Sequence, residues 1–217
     1  MNLGLTADEV LTTTRSVRKR LDLDRPVERS VVEECLDIAL QAPTGSNTQG
    51  WQWVFVTDPD KKKVIADYYG ANFDLYTNRP GQPEYGADDP RTSQKPAIMD
   101  SAGYLREVFH QVPVMMIPCI SGEARLDSGV PTFGQASSWG SLLPAVWSFM
   151  LALRERGLGS AWTTLHLPNE REVAELLGIP YDTVTQAGLF PIAYTLGTDF
   201  KQAKRLPAAQ LSHWDKW

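Results

Sequence analysis

The run from Ser137 to Arg156 constrains this chain more than any other segment. Trp139, Leu142, Leu143, Val146, Trp147, Phe149, Met150, Leu151 and Leu153 leave a helix there with almost no polar face. Such a helix is central, because only packing on most sides removes that much apolar surface from water. Pro144 predicts a kink or a late helix start. The apolar stretch from Leu142 to Leu153 contains Pro144 and Ser148 and is too short to span a bilayer. The rest of the chain must therefore enclose this helix. Its 217 residues, 42% hydrophobic and 22% charged, fit a single domain over 1–217 and exclude a disordered chain.

The order of the other elements sets the fold class. Thr6-Ala7-Asp8-Glu9 is a capping box with Leu5 and Val10 as its staple, so a helix begins near Ala7 and runs toward Thr14. A second helix follows Pro26 and stops before Pro43. Trp51 to Thr57 reads as a strand, and Asp58-Pro59 opens a helix through Tyr69. From Gly70 to about Ala102, Pro80, Pro83, Pro90 and Pro96 among glycines and tyrosines predict an irregular, variable lid. Helix is expected over Tyr104–His110 and strand over Val112–Ile120. After the central helix, Gly157 ends it, Ser160–Leu165 returns as a strand, a helix runs from Asn169 to Gly178, and Gln186–Leu196 is the last strand. Residues 198–217 form a C-terminal arm. Helices and strands without regular βαβ alternation point to an α+β fold.

Composition narrows the function. Lys and Arg number 21 against 26 Asp and Glu, a net charge of −5, which argues against a general nucleic-acid binder. Cys35 and Cys119 sit in apolar runs with no metal-ligand spacing and read as buried, reduced thiols, as in a cytoplasmic protein. The N-terminal residues have neither the basic nor the apolar region of a signal peptide. His110, His166 and His213 lie far apart, so no metal is expected, and no membrane association either.

Two segments carry candidate chemistry. Arg15, Arg18, Lys19 and Arg20 fall within six residues. Alone, they suit a solvated helix C-terminus or an oxyanion site, where Arg offers a bidentate fork and Ser16 a hydroxyl. The loop Pro43-Thr44-Gly45-Ser46-Asn47-Thr48-Gln49 combines hydroxyls and amides with a glycine that permits close backbone approach; alone, it is also plain turn chemistry. Gly157-Leu158-Gly159 lacks the third glycine of a dinucleotide fingerprint, and no phosphate-binding GxxxxGK[ST] or nucleophile GxSxG is present.

Together these blocks resemble the FMN-dependent nitroreductase superfamily. Arg15-Ser16-Val17-Arg18 matches its first block, Pro43, Asn47, Gln49 and Trp51 the second, Gly157-Leu158-Gly159-Ser160 the third, and Lys204-Arg205-Leu206-Pro207 the closing basic residues. The resemblance implies a central mixed sheet flanked by helices, a long buried helix, and a homodimer whose C-terminal arms are exchanged between subunits. It implies one FMN at each of two sites, with catalysis on the flavin and no side-chain acid or base. Arg15, Ser16 and Arg205, with Lys204 nearby, would hold the phosphate and ribityl chain, and Arg18 would face the pyrimidine end. Pro43, Thr44, Gly45, Ser46, Asn47 and Gln49 would reach the flavin from the partner subunit. Amides near Thr163, Thr164 and Leu165 would face N5 and O4. The implied activity is NAD(P)H-dependent reduction of nitroaromatic or quinone-like acceptors by ping-pong hydride transfer. Reductive dehalogenation, flavin fragmentation and non-catalytic flavin binding are the alternatives. The aromatic Trp147, where the family often has a polar residue, and the lid are departures from the pattern.

Overall fold

The structure, a computed structural model, describes residues 2–87, 89–123, 125–127 and 129–217. Helix α1 (Ala7–Thr13) begins where expected. Thr6 Oγ1 accepts from the Glu9 amide, and the Glu9 carboxylate accepts from the Thr6 amide at 2.8 Å. Helix α2 (Arg29–Ala39) buries Val32, Cys35 and Ala39, and strand β1 spans Trp51–Val56. Cys35 and Cys119 are free and buried, and burial pushes both thiols up to about 12.

The expected irregular stretch from Gly70 to Ala102 is mostly helix. Helix α3 (Pro59–Asn78) continues nine residues past Tyr69, and α4 (Pro90–Val108) starts with Asp89 capping the Arg91 amide at 2.8 Å. Among the described residues of this stretch, only 79–87 and Asp89 stay irregular. Tertiary packing overrides the weak local propensity. Tyr69 meets Phe109 edge-on at 4.7 Å, Arg106 of α4 pairs with Asp74 of α3, and Leu105 is fully buried. Pro96 is accommodated inside α4, where it removes one intrahelical donor.

Strand β2 (Val114–Ser121) is the middle of the sheet and is buried on both faces. Val114, Met116 and Ile120 face one core cluster, and Met115, Ile117 and Cys119 face the other, the alternation a strand requires. The sheet order is β1-β2-β5-β3, where β3 is Leu158–Gly159 and β5 is Phe190–Tyr194, with β4 (Val184–Gln186) also on β2. These ladders are antiparallel, and the parallel component is the bridge between Ser16 and Ser160.

The last strand, expected as Gln186–Leu196, is two segments, β4 (Val184–Gln186) and β5 (Phe190–Tyr194). They break opposite Pro118, which has no N–H to donate, and the Ala187 amide donates to its carbonyl at 2.8 Å. Gly188 sits in the break, where a Cβ would lie 2.9 Å from the Thr163 carbonyl oxygen. The strand expected over Ser160–Leu165 is instead β3 (Leu158–Gly159), followed by single bridges at Ser160 and Thr163. Helix α6 (Glu170–Leu177) ends at Gly178 with φ +70°.

Helix α5 (Thr132–Glu155) starts five residues earlier than expected and runs through Pro144. It is long and apolar enough to cross a membrane, but it lies between α2 and the sheet, touching β2 and β3. Leu142, Val146, Phe149 and Leu153 are fully buried, and Phe149 packs on Trp53 and Phe55. The all-round apolar character is not fully used within one chain. Trp147 is 39% exposed, and Phe133 is 80% exposed.

Candidate functional site

The basic cluster is not a helix C-terminus, because α1 ends at Thr13 with no cation in its last turn. Arg15–Asp22 docks on the sheet edge by bridges at Ser16 and Leu21, with a turn at Arg18–Leu21 between them. Val17 donates to the Ser160 carbonyl at 2.8 Å, Leu196 to the Arg20 carbonyl at 2.8 Å, and Asp22 to the Tyr194 carbonyl at 2.8 Å. Gly159 permits this docking, since a Cβ there would sit 2.8 Å from the Val17 Cβ. The G-L-G-S and R-S-V-R blocks, 140 residues apart in sequence, are thus one structural unit.

That unit forms one wall of a cleft of about 490 Å³. Arg15, Ser16 and Arg18 line it, Gln94, Ala97, Ile98 and Ser101 of α4 form a second side, and Trp147, Met150 and Trp162 give an apolar wall. Arg205 of the arm closes it. The four cations of the cluster divide by partner. Lys19 pairs with Asp100 and Arg20 with Asp199. Arg15 and Arg18 have no carboxylate partner among the described residues; Arg18 reaches only the Ser101 hydroxyl, at 3.4 Å. The Arg15 Nη1 is buried with no hydrogen-bond partner. Burial, and then repulsion from Arg205, lowers the Arg15 pKa, and burial lowers that of Arg18. Two guanidinium groups converging in a part-buried cleft without a counter-charge form a site for an anion.

The other expected site residues divide. Lys204 lines an adjoining outer chamber rather than this cleft, whereas Arg205 lines both. Thr163 is committed elsewhere, because its amide and hydroxyl both donate to the Leu189 carbonyl, at 3.2 and 2.6 Å. Its amide is therefore not free for a ligand, a correction imposed by the broken last strand. Thr164 is exposed and lines a second chamber of about 480 Å³ beyond Trp162, while Leu165 packs into the core.

The Pro43–Gln49 loop lies at another place in this chain. Gly45 and Ser46 border a separate cleft with Ser121, Ser137 and Ser141, and that cleft shares no lining residue with the Arg15 cleft. Gly45 donates to the Ser141 Oγ at 2.9 Å, Gln49 donates to the Thr44 Oγ1 at 3.2 Å, and the Gln49 amide side chain donates to Asn47 at 3.1 Å. Ser46, Asn47 and Gln49 have φ values of +53°, +55° and +49°. Three non-glycine residues in the left-handed region cost free energy that a plain turn has no need to spend.

Sequence reading missed the contributions of α4 and the wall residues Met150 and Trp162. Reading Gly70–Ala102 as loop hid Gln94, Ala97, Ile98 and Ser101. It also missed a buried polar network behind Thr164. The His166 Nε2 lies 3.2 Å from the Gln186 Oε1, Gln186 is bonded through its amide and side chain to Glu170, and Glu170 pairs with Arg125.

Burial lowers His166 to about 4, against an ordinary 6.5. A depressed folded value means its contribution to stability is present above pH 6.5 and lost as pH falls toward about 4. About 2 kcal/mol should be gone by pH 5. Melting curves between pH 7 and 4.5 should show this loss, and His166→Gln should flatten it. An unchanged slope in the variant would remove His166 as the cause.

A family model described as the nitroreductase family matches residues 11–194. The chain belongs to the nitroreductase family. The match spans every helix and strand from the end of α1 to β5 and stops before the arm. An iodotyrosine deiodinase of Thermotoga neapolitana is 26% identical over 185 residues, which is 85% of this chain and 86% of that protein. The FMN and NADPH-dependent nitroreductase NfnB of a Sphigopyxis species superposes with a TM-score of 0.69 at 23% identity, over 98% of this chain and all of that one. An iodotyrosine deiodinase solved with FMN and 3-iodo-L-tyrosine superposes with a TM-score of 0.71 at 20% identity, also over 98% of this chain and all of that one. The α+β fold is therefore that of this nitroreductase family, and the solved neighbours are FMN proteins.

Proposed function

We propose that this nitroreductase-family chain is an FMN-dependent oxidoreductase that draws electrons from a reduced nicotinamide dinucleotide and passes them to a nitroaromatic or quinone-like acceptor. The buried, unpartnered Arg15 Nη1 beside Arg205 carries the reading, because it offers an anion a partner in a cleft whose other wall is the apolar Trp147, Met150 and Trp162. The residues present fit the cofactor. Arg15, Ser16 and Arg205 hold a phosphate dianion, and Trp147, Met150 and Trp162 shelter an aromatic ring from water. Bound FMN supplies a two-electron carrier. Arg18 holds a positive charge where the reduced ring becomes electron-rich, and no side-chain acid or base is needed for that role.

The strained Pro43–Gln49 loop reaches the equivalent cleft of a second subunit in a homodimer, and the far end of the arm, with the exposed Trp214 and Trp217, packs on that subunit, while Arg205 stays in the cleft of its own chain. The two reduced thiols suit a cytoplasmic location. A second reading, reductive dehalogenation of a halogenated phenol, is favoured by the two iodotyrosine deiodinases among the relatives.

Purified protein should be yellow, release FMN on heating, and bleach in a stopped-flow mix with NADH or NADPH. Failure of both reductants to bleach it would exclude the proposal. Turnover of a nitroarene, a quinone and 3-iodotyrosine, measured side by side, separates the two readings.

Arg18→Ala should leave FMN bound, lower its reduction potential by roughly 30–60 mV and slow bleaching. Potentiometry with a dye mediator tests this. Loss of FMN with the potential unmoved would assign Arg18 to cofactor retention instead.

A further inference from the structure

The cleft at Arg15 has two neighbours of different electrical character. Beyond Trp162, the chamber holding Thr164 is lined by Arg125 and Glu170, which pair with each other and leave it balanced. On the other side, the outer chamber of about 620 Å³ shares Gln94, Ile98 and Arg205 with the Arg15 cleft. Among its described lining residues are Arg91, Lys95, Lys204 and Arg205, four cations, and no carboxylate. Asp89 holds Arg91 at 2.6 Å, and Lys95 donates to the Pro83 carbonyl at 3.1 Å. Lys95, Lys204 and Arg205 have no carboxylate partner among the described residues. The chamber also offers stacking surface, with Tyr76, Tyr85 and the Arg91 guanidinium, which lies 4.0 Å over the Tyr85 ring.

With the flavin in the inner cleft, a ligand that lies on the flavin and extends outward has its anionic, aromatic end between Tyr85 and Lys95. A small neutral acceptor needs only the flavin face. We propose that the outer chamber is the subsite for the 2′-phosphorylated adenosine half of NADPH, making the chain selective for NADPH over NADH. The inference rests on the flavin reading above. Adenine stacks on the Tyr85–Arg91 pair, and Lys95 and Lys204 supply the charge for phosphate. Arg205 already serves the inner anion, and Lys95 and Lys204, without counter-charge in the chamber that holds the Tyr85–Arg91 stack, favour the dinucleotide that brings an extra phosphate next to its adenosine.

Binding of 2′,5′-ADP and 5′-AMP to the FMN-loaded protein, measured by calorimetry, tests this without turnover. 2′,5′-ADP should bind about tenfold or more tightly than 5′-AMP, the difference shrinking with added salt. It should also compete with NADPH in flavin bleaching. Lys95→Met should narrow the gap, and Lys95→Arg should keep most of it. Equal binding of the two nucleotides, binding of neither, or preference for 4-nitrobenzoate over 2′,5′-ADP would overturn the proposal. A protein that binds 2′,5′-ADP selectively but bleaches with neither reductant would sink the flavin reading and leave this subsite standing.

Discussion

Arg15→Ala is expected to strip the flavin, weakening FMN binding by roughly 100-fold or more. A guanidinium holding a phosphate through two charge-assisted hydrogen bonds, each worth about 1.5–3 kcal/mol, contributes more than any single neutral contact in the cleft. The Arg15 side chain already bears burial and the repulsion of Arg205 without a partner in the protein, so it is preorganised for an anion. Relief of that repulsion in the variant offsets a part of the loss. The variant should fold, since Arg15 makes no ion pair among the described residues and lies outside the core clusters. Fluorescence titration of the stripped protein with FMN, and separately with riboflavin, gives the check. The substitution should weaken FMN far more than riboflavin, which lacks the phosphate. Equal weakening of both would show that Arg15 does not hold the phosphate.

Deleting residues 198–217 should release FMN and dissociate the proposed dimer together. The root of the arm is clamped to the body. Phe200 lies between the guanidinium groups of Arg20 and Arg154, at 4.3 and 5.0 Å, and Arg154 donates to the Thr198 carbonyl at 3.0 Å. From this anchor the arm carries Arg205 to the cleft. Its far end is different, with Trp214 86% and Trp217 99% exposed in the single chain. Two tryptophans left in water forgo about 1.5–3 kcal/mol each, which a second subunit would recover. Loss of Arg205 alone should weaken FMN about 10- to 150-fold, so Arg205→Ala should bleed flavin while staying dimeric. Sedimentation of both variants, read at the protein and flavin wavelengths, distinguishes the two roles. A truncated protein that stays yellow and dimeric at micromolar concentration would show that the arm serves neither.

Legibility in the sequence followed the range of the interactions involved. Signals within a few residues were readable: the Thr6–Glu9 capping box, the Asp58-Pro59 helix start, the apolar run of β2, and the helix stops at Gly157 and Gly178. The same holds for the basic block and the Pro43–Gln49 loop as candidate segments, although their residue types alone left open a solvated helix end and a plain turn. The error over Gly70–Ala102 came from the same reliance on local signal. Glycine and four prolines argue for loop, while Tyr69, Leu105 and Phe109 stabilise α3 and α4 by contacts between helices that no local pattern contains.

What the sequence determined by itself is therefore the α+β class, the central helix, and the candidate anion-binding residues, because each depends on propensity or periodicity over one or two turns. Only the tertiary structure decided that Arg15 and Arg205, 190 residues apart, share one cleft and repel each other there. It alone showed that Pro118 interrupts the last strand and thereby ties up the Thr163 amide. It also turned α4 into a wall of the cleft and gathered four cations around Tyr85. Each of these is a juxtaposition of distant segments, fixed by how the sheet and helices pack rather than by the chemistry of any one stretch.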